Sequence, residues 1–415
     1  MSPKPQTWTS PALPVGPRVP VWAPAAQTVE LHLPDQDRLV GMIPVPGGWW
    51  TAPFDLEPGT DYAFRVDGSP NRPDPRSALQ PDGVHGPSRT VDPDTWRWTD
   101  QNWAGRDLRG SVIYELHVGT FTPEGTLDAA VSRLGHLVDL GVDIVELMPL
   151  AAFPGKAGWG YDGVGLWAVH EAYGGPQALA RLVDAAHAHG LGVCLDVVYN
   201  HLGPAGNHLG AFGPYFTDAH RTPWGQAVNY DQAGSDQVRA FVIDSALRWL
   251  RDFHVDALRL DAIHAIHDDS PRHVLAEMAD AVHALGAELG RPLGLVAESD
   301  LNDVGVITPH RRPRPGRCAE PGDGRPVGRR RPPRPARAPD RGEAGLLRGL
   351  RRPGGLHQGL RAGLPPRRDP LHLPGPDLGR AGTPGHRPAP LRRLRLRPRP
   401  GGQPRHRGPS QREPG

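Results

Sequence analysis

The stretch "GVCLDVVYN", residues 192–200, decides the fold. Val193, Cys194, Leu195, Val197 and Val198 put apolar side chains on both faces of an extended chain, with Asp196 the one charge among them. A strand with one wet face alternates, whereas a strand buried on both faces belongs to a parallel sheet covered by helices. Both neighbours agree. Upstream, "PQALARLVDAAHAHG" (176–190) opens with Pro and closes with Gly, as helices do, and downstream "SDQVRAFVIDSALRWLRDF" (235–253) has helical spacing.

Further out, the same strand type returns in "SVIYELHV" (111–118), "DIVELMPL" (143–150), "DALRLDAI" (256–263) and "LGLVAES" (293–299). Between them stand "LDAAVSRLGHLVDLG" (127–141), with Leu127, Val131, Leu134 and Val138 at helical spacing, and "PRHVLAEMADAVHALGAELG" (271–290). Five strands and four helices thus alternate over residues 101–305. This predicts an α/β domain, either an open doubly wound sheet or an incomplete (β/α)8 TIM barrel. No Gly-rich phosphate loop follows the first strand, which counts against a dinucleotide fold. Residues 19–100 carry the short runs "VELHL", "GGWWTAPF" and "YAFRVDG" between turn signals, which predicts a small antiparallel β domain. "SPNRPDPRSALQPDGVHGPS" (69–88) reads as a long loop, and residues 1–18 as a disordered N-terminus.

The overall charge is +2, but that average conceals a division. Of 47 basic and 45 acidic residues, 27 Arg and 7 acidic residues lie in 306–415, leaving 20 and 38 in front. The front is therefore net −18 and the tail net +20. The tail also holds 23 Pro and 19 Gly and no Lys, Phe, Trp or Tyr. The start of the chain has no apolar run of signal-peptide kind, and the two cysteines, Cys194 and Cys318, form no disulfide framework. A cytoplasmic location and the absence of a membrane partner are expected.

Polar residues gather where the strands end: His117, Asp196, Asn200, His201, Arg259, Asp261, His264 and Glu298. In a barrel, that end carries the catalytic groups. Any one of these could be a helix cap or core ion pair, but repetition on four strands is hard to explain as structure. Asp261 and Glu298 end successive strands, and neighbouring strands lie about 4.8 Å apart. Carboxyl groups about 5–5.5 Å apart suit retaining glycoside hydrolysis through a covalent glycosyl intermediate. In that chemistry Asp261 is the nucleophile, kept ionised by Arg259 on the same strand face, and Glu298 the acid/base. The spacing alone also permits a metal site, although no local motif of the H-E-x-x-H kind is present.

"DVVYNH" (196–201), "ALRLDAIH" (257–264) and "VAESD" (296–300) resemble, in order and spacing, three of the four signature regions of the α-amylase superfamily. "VWAPAAQTVELHL", "YELHVGTFTPEGTLDAA" and "NHLGPAGNHLGAFGPYF" narrow the resemblance to its trehalohydrolase family, with glycogen branching enzymes as the nearest competitor. The resemblance covers roughly residues 19–303. It implies an immunoglobulin-like β-sandwich before the barrel, Asp261 as nucleophile, Glu298 as general acid/base, and Arg259 as the residue orienting the nucleophile. His201, His264 and Tyr161 are implied to contact sugar in the cleavage subsite, and Asp196 and Asn200 to organise it. Trp159 and Trp167 are candidate stacking platforms, with core packing the commoner fate of a barrel aromatic. No cofactor, no metal and no nucleic-acid partner are expected. The implied substrate is maltooligosyl trehalose or another α-glucan. A catalytically dead glucan-binding protein is the alternative from another class.

The family continues with three more strands and a third carboxylate in a motif like "NHDQ", and residues 306–415 contain no His-Asp pair. A natural Arg/Pro tail and a barrel completed by another chain are two readings of that segment. The third is a shift of reading frame, because GC-rich triplets read out of frame yield mainly Arg, Pro, Gly and Ala. The last fits an abrupt change with 27 Arg and no Lys, and predicts a poorly soluble chain lacking turnover.

Overall fold

The computed structural model describes residues 16–307 and the pair 347–348. The expectations for residues 1–18 and 306–415 therefore fall almost entirely outside the described residues.

The N-terminal domain has seven short strands: β1 (Val21–Trp22), β2 (Val29–Leu33), β3 (Arg38–Gly41), β4 (Ile43–Val45), β5 (Trp49–Thr51), β6 (Asp61–Val66) and β7 (Ser88–Arg89). They form two antiparallel sheets, ordered β1-β5-β4 and β3-β2-β6-β7. In β2, Val29, Leu31 and Leu33 are buried while Glu30 and His32 are partly exposed, the period-two pattern of a sheet with one packed face. The long loop 69–88 is fastened by Asp74, which accepts from the Tyr62 hydroxyl at 2.8 Å. The domain leans on the α/β part of the chain through Trp49, whose indole N–H donates to Gln237 at 3.2 Å, and through Trp22, edge-on to Tyr215.

That α/β part contains β8 (Ile113–Leu116), α1 (Val118–Phe121), α2 (Leu127–Val131), α3 (Leu134–Asp139), β9 (Ile144–Leu147), α4 (Gly175–Ala188) and β10 (Gly192–Val197). It continues with β11 (Phe216–Thr222), β12 (Gly225–Val228), α5 (Ser235–Asp252), β13 (Ala257–Leu260), α6 (Val274–Leu289) and β14 (Gly294–Ala297). β8, β9, β10, β13 and β14 pair side by side, all parallel, in chain order. A doubly wound sheet reverses its order at a switch point. This one does not, so it is the first part of a barrel. A two-residue strand, β15 (Leu347–Arg348), adds to β14 in parallel, which the expectation of five strands did not include.

Two local expectations are corrected. The helix expected over 127–141 is two short ones, because Ser132 ends α2, its hydroxyl donating back to the Ala129 carbonyl at 2.7 Å. The stretch 214–230, left without an element, holds the antiparallel hairpin β11–β12.

Ile144, Cys194 and Ala257 form a small buried cluster on β9, β10 and β13, with Leu108 and Ile113 against it. Leu108 enters because residue 294 is Gly: a Cβ there would stand 2.2 Å from the Leu108 side chain. Cys194 is fully buried, as a small core residue. At the N-terminal end of the sheet, Asp256 accepts from Trp103 Nε1 (2.8 Å), Val193 N (2.9 Å), Arg291 Nη1 (2.9 Å) and His187 Nε2 (3.1 Å). The other nitrogen of His187 meets Asp100 at 2.8 Å, and His254 meets the same carboxylate oxygen. With a carboxylate at each ring nitrogen, His187 must carry both protons, and the two acids outweigh burial to hold its pKa above the ordinary value. No helix among the described residues is long and apolar enough to cross a membrane.

Candidate active site

Backbone register brings the site together. In the parallel ladder Asp196 lies beside Arg259, and Arg259 beside Val296. Side chains repeat every second residue on one face. Asp261 and Glu298, two residues beyond Arg259 and Val296, therefore rise together just past the strand ends.

One guanidinium ties the carboxylates. Arg259 Nη1 donates to Asp196 Oδ2 at 2.6 Å and to Asp261 Oδ1 at 2.9 Å, while Nη2 lies 3.7 Å from Glu298 Oε2. Burial opposes the Arg259 charge, but Asp196 and Asp261 outweigh it and hold its pKa above the ordinary value. The nucleophile candidate is held from its other side as well. Asn200 Nδ2 donates to the Asp261 carbonyl at 2.7 Å and to Oδ2 at 3.0 Å. Glu298 Oε2 accepts from the Ala262 backbone N–H at 2.8 Å, and its carbonyl accepts from Ile263 N at 3.0 Å. Ala262 has φ +40°, a left-handed turn that points its N–H to the neighbouring strand end.

Tyr161 reaches Asp196 Oδ2 with its hydroxyl at 2.8 Å. Its loop sits where glycines allow backbone contact. A Cβ at Gly160 would lie 2.4 Å from the Pro149 carbonyl oxygen, and one at Gly203 2.1 Å from that of Asp162. Gly203 N also donates to the Gly163 carbonyl at 3.1 Å, joining the loop after β9 to the loop after β10. His117 braces the first loop through the Gly158 carbonyl (2.8 Å) and the Tyr173 hydroxyl (3.0 Å). His201 is buried, hydrogen-bonds the Asn200 side chain, and has its pKa lowered, chiefly by burial.

Not every candidate joins this cluster. His264 is exposed on a short 3-10 turn, and no hydrogen bond among the described residues ties it to the carboxylates. Trp159 is 71% exposed in the loop before Tyr161. Trp167 is buried against Phe241 and so is core. Sequence reasoning missed Trp224, at the tip of the hairpin β11–β12, whose ring stacks on His201 at 4.2 Å and 9° and is half exposed. The turn "TPWG" between short polar alternations was the available signal. It also passed over Glu146, a buried acid inside the apolar run of β9. Of groups able to bind a cation, His220, Asp231 and Asp269 bring ligand atoms within 4.8 Å of one another beside the hairpin, and His220 Nε2 already hydrogen-bonds Asp231 at 2.7 Å.

A sequential parallel barrel sheet with an arginine and two acids at successive strand ends defines a class, and the comparisons agree with it. Residues 88–210 match the α-amylase catalytic domain, and residues 9–81 match carbohydrate-binding module 48, the isoamylase N-terminal domain. Over the matched residues the chain is similar to members of the α-amylase superfamily. Among its relatives, malto-oligosyltrehalose trehalohydrolase of Arthrobacter ramosus is 56% identical over 293 residues, covering 70% of this chain and 51% of that protein. The enzyme of the same name from Rhizobium sp. (strain M-11) is 53% identical over 299 residues, covering 70% and 50%. In the solved structure of a Salmonella typhimurium protein described as a candidate alpha amylase, the match covers 71% of this chain and 49% of that one, with a TM-score of 0.66 and 41% identity. The chain thus spans about half the length of the relatives it matches.

Proposed function

We propose that the described residues are the nucleophile-bearing half of a retaining α-glycosidase site for maltooligosyl trehalose. Asp261 attacks the anomeric carbon of the glucosyl unit α-1,4-linked to trehalose. Glu298 gives its proton to the departing oxygen, so trehalose leaves and a glycosyl ester on Asp261 remains. Glu298 then takes a proton from water, which releases the malto-oligosaccharide with retained configuration. Arg259 holds Asp261 in place for the first step through its 2.9 Å hydrogen bond to Oδ1. Asn200 fixes the carboxylate's direction, and neutral His201, whose Nδ1–H donates to Asn200 Oδ1, lies beside the sugar with Trp224 stacked on its ring.

The carrying observation is that a single guanidinium contacts both acids, Asp261 at 2.9 Å and Glu298 at 3.7 Å. The relatives' names supply the substrate. A third carboxylate, implied by the family, belongs to strands beyond those described, and the chain by itself is expected to bind glucan without turning it over. The test is a chain whose remaining barrel is supplied from the Arthrobacter relative, incubated with maltooligosyl trehalose. Free trehalose is the expected product. New α-1,6 branches on amylose with no trehalose would favour glucan transfer, and binding without either product would favour a glucan-binding protein.

A further inference from the structure

Beneath the catalytic floor lies a second set of acids that the glycosidase chemistry does not use. Glu115 on β8 pairs in register with Glu146 on β9, and Glu146 with Cys194 on β10. Asp196 is two residues beyond Cys194 on the same face. The three carboxylates offer oxygens that all lie within 4.8 Å of one another. They differ in their access to water. Glu115 is exposed, Glu146 is 5% exposed and Asp196 is 1% exposed.

Their hydrogen bonds are uneven. Asp196 Oδ2 takes both Arg259 and Tyr161, while its Oδ1 is buried without a partner. Among the described residues, no donor reaches the Glu146 carboxylate, and its neighbours on the inner face are Glu115, Cys194, Asp196 and Arg259. Of these neighbours Arg259 is the one cation, and it is already shared by Asp196, Asp261 and Glu298. Two buried carboxylates this close, with one shared cation and Asp196 Oδ1 without a partner, cannot both stay ionised cheaply.

We propose that Glu146 and Asp196 hold a single proton between them at neutral pH, and that Glu146 is thereby a positioning residue for Arg259. The proton comes from solvent as the chain folds and returns to it when the pair ionises. With one proton held, the pair carries one negative charge, and the guanidinium keeps enough positive field for Asp261. Without it, a second full charge competes for the same arginine. Burial pushes both acids up to about 7, with Glu115 adding to the effect on Glu146 and Arg259 opposing it on Asp196. The consequence for Asp261 rests on the glycosidase reading; the proton itself does not.

The experiment is infrared difference spectroscopy of the full chain between about pH 6 and pH 8, on either side of that midpoint. Wild type is expected to show one protonated-carboxyl stretch, with the amplitude of a single group, lost as pH rises. Glu146→Gln should lower the midpoint of that band, because Asp196 then faces one carboxylate fewer while it keeps Arg259. Asp196→Asn should move its midpoint down by about one pH unit or more, a tenfold change in proton affinity. Should that variant fail to fold, Glu115→Gln, at an exposed position, is expected to lower the midpoint by a smaller step. No protonated carboxyl above pH 6 in wild type, or a band indifferent to Glu146→Gln, would overturn the proposal. Because no turnover is measured, that result would leave the glycosidase reading untouched.

Discussion

Replacing Asp256 by Ala is expected to cost more stability than any change at the catalytic acids. The side chain is fully buried and takes four donors, two of them on the cations Arg291 and His187. Removing it leaves an arginine that is 9% exposed and a histidine that is 1% exposed without their shared anion. Breaking a buried pair from one side costs about 3–5 kcal/mol. For a domain of this size that is a fall in Tm of roughly 10 °C. Asp256→Asn should recover little, because its amide NH2 must face other donors. The pH dependence has a definite sign. His187 has a raised pKa, so its contribution is complete below the unfolded value of 6.5 and fades as pH rises through the folded one. Wild type should therefore lose stability above pH 6.5 more steeply than the variant, in which half of this linkage is gone. Urea unfolding followed by tryptophan fluorescence at several pH values measures both effects. A loss under about 1 kcal/mol, or equal pH slopes, would refute the account of the network as a paired ionic core.

Other changes test the site. Gly203→Ala forces a Cβ against the Asp162 carbonyl, which is backbone and cannot swing away; a loss of about 1–3 kcal/mol in unfolding and weaker binding of maltotetraose are expected. Trp224→Ala removes the ring stacked on His201 and should weaken binding of the same glucan by about 1 kcal/mol, seen as lost fluorescence quenching, while the melting curve stays in place. The parent DNA beyond codon 303, read in the other two frames, should give apolar strands and a His-Asp pair in one of them. If neither frame does so, the frame-shift reading fails.

The sheet was open to sequence reading because β9, β10, β13 and β14 are apolar on both faces, a pattern that only a covered parallel sheet needs. Register then made Asp196, Arg259, Asp261 and Glu298 neighbours, since their positions follow from strand ends and a period of two. Contacts made by irregular chain were closed to the same reasoning. Trp224 reaches His201 only through a hairpin whose polar strands mimic a loop. Glu146 looks like one more residue of an apolar strand until the register sets it beside Glu115. The break at Ser132 depends on a side chain bonding back to Ala129, which helical spacing does not register.

The way Trp49 meets Gln237 and Trp22 meets Tyr215 has a consequence for synthesis. Both partners of the N-terminal domain lie in chain that precedes β13. As a nascent polypeptide, the sandwich can dock on α5 and the hairpin region before the nucleophile strand has left the ribosome. The segment that carries Asp261 and Glu298 then adds to a surface already in place, and assembly of this half runs in the order of translation.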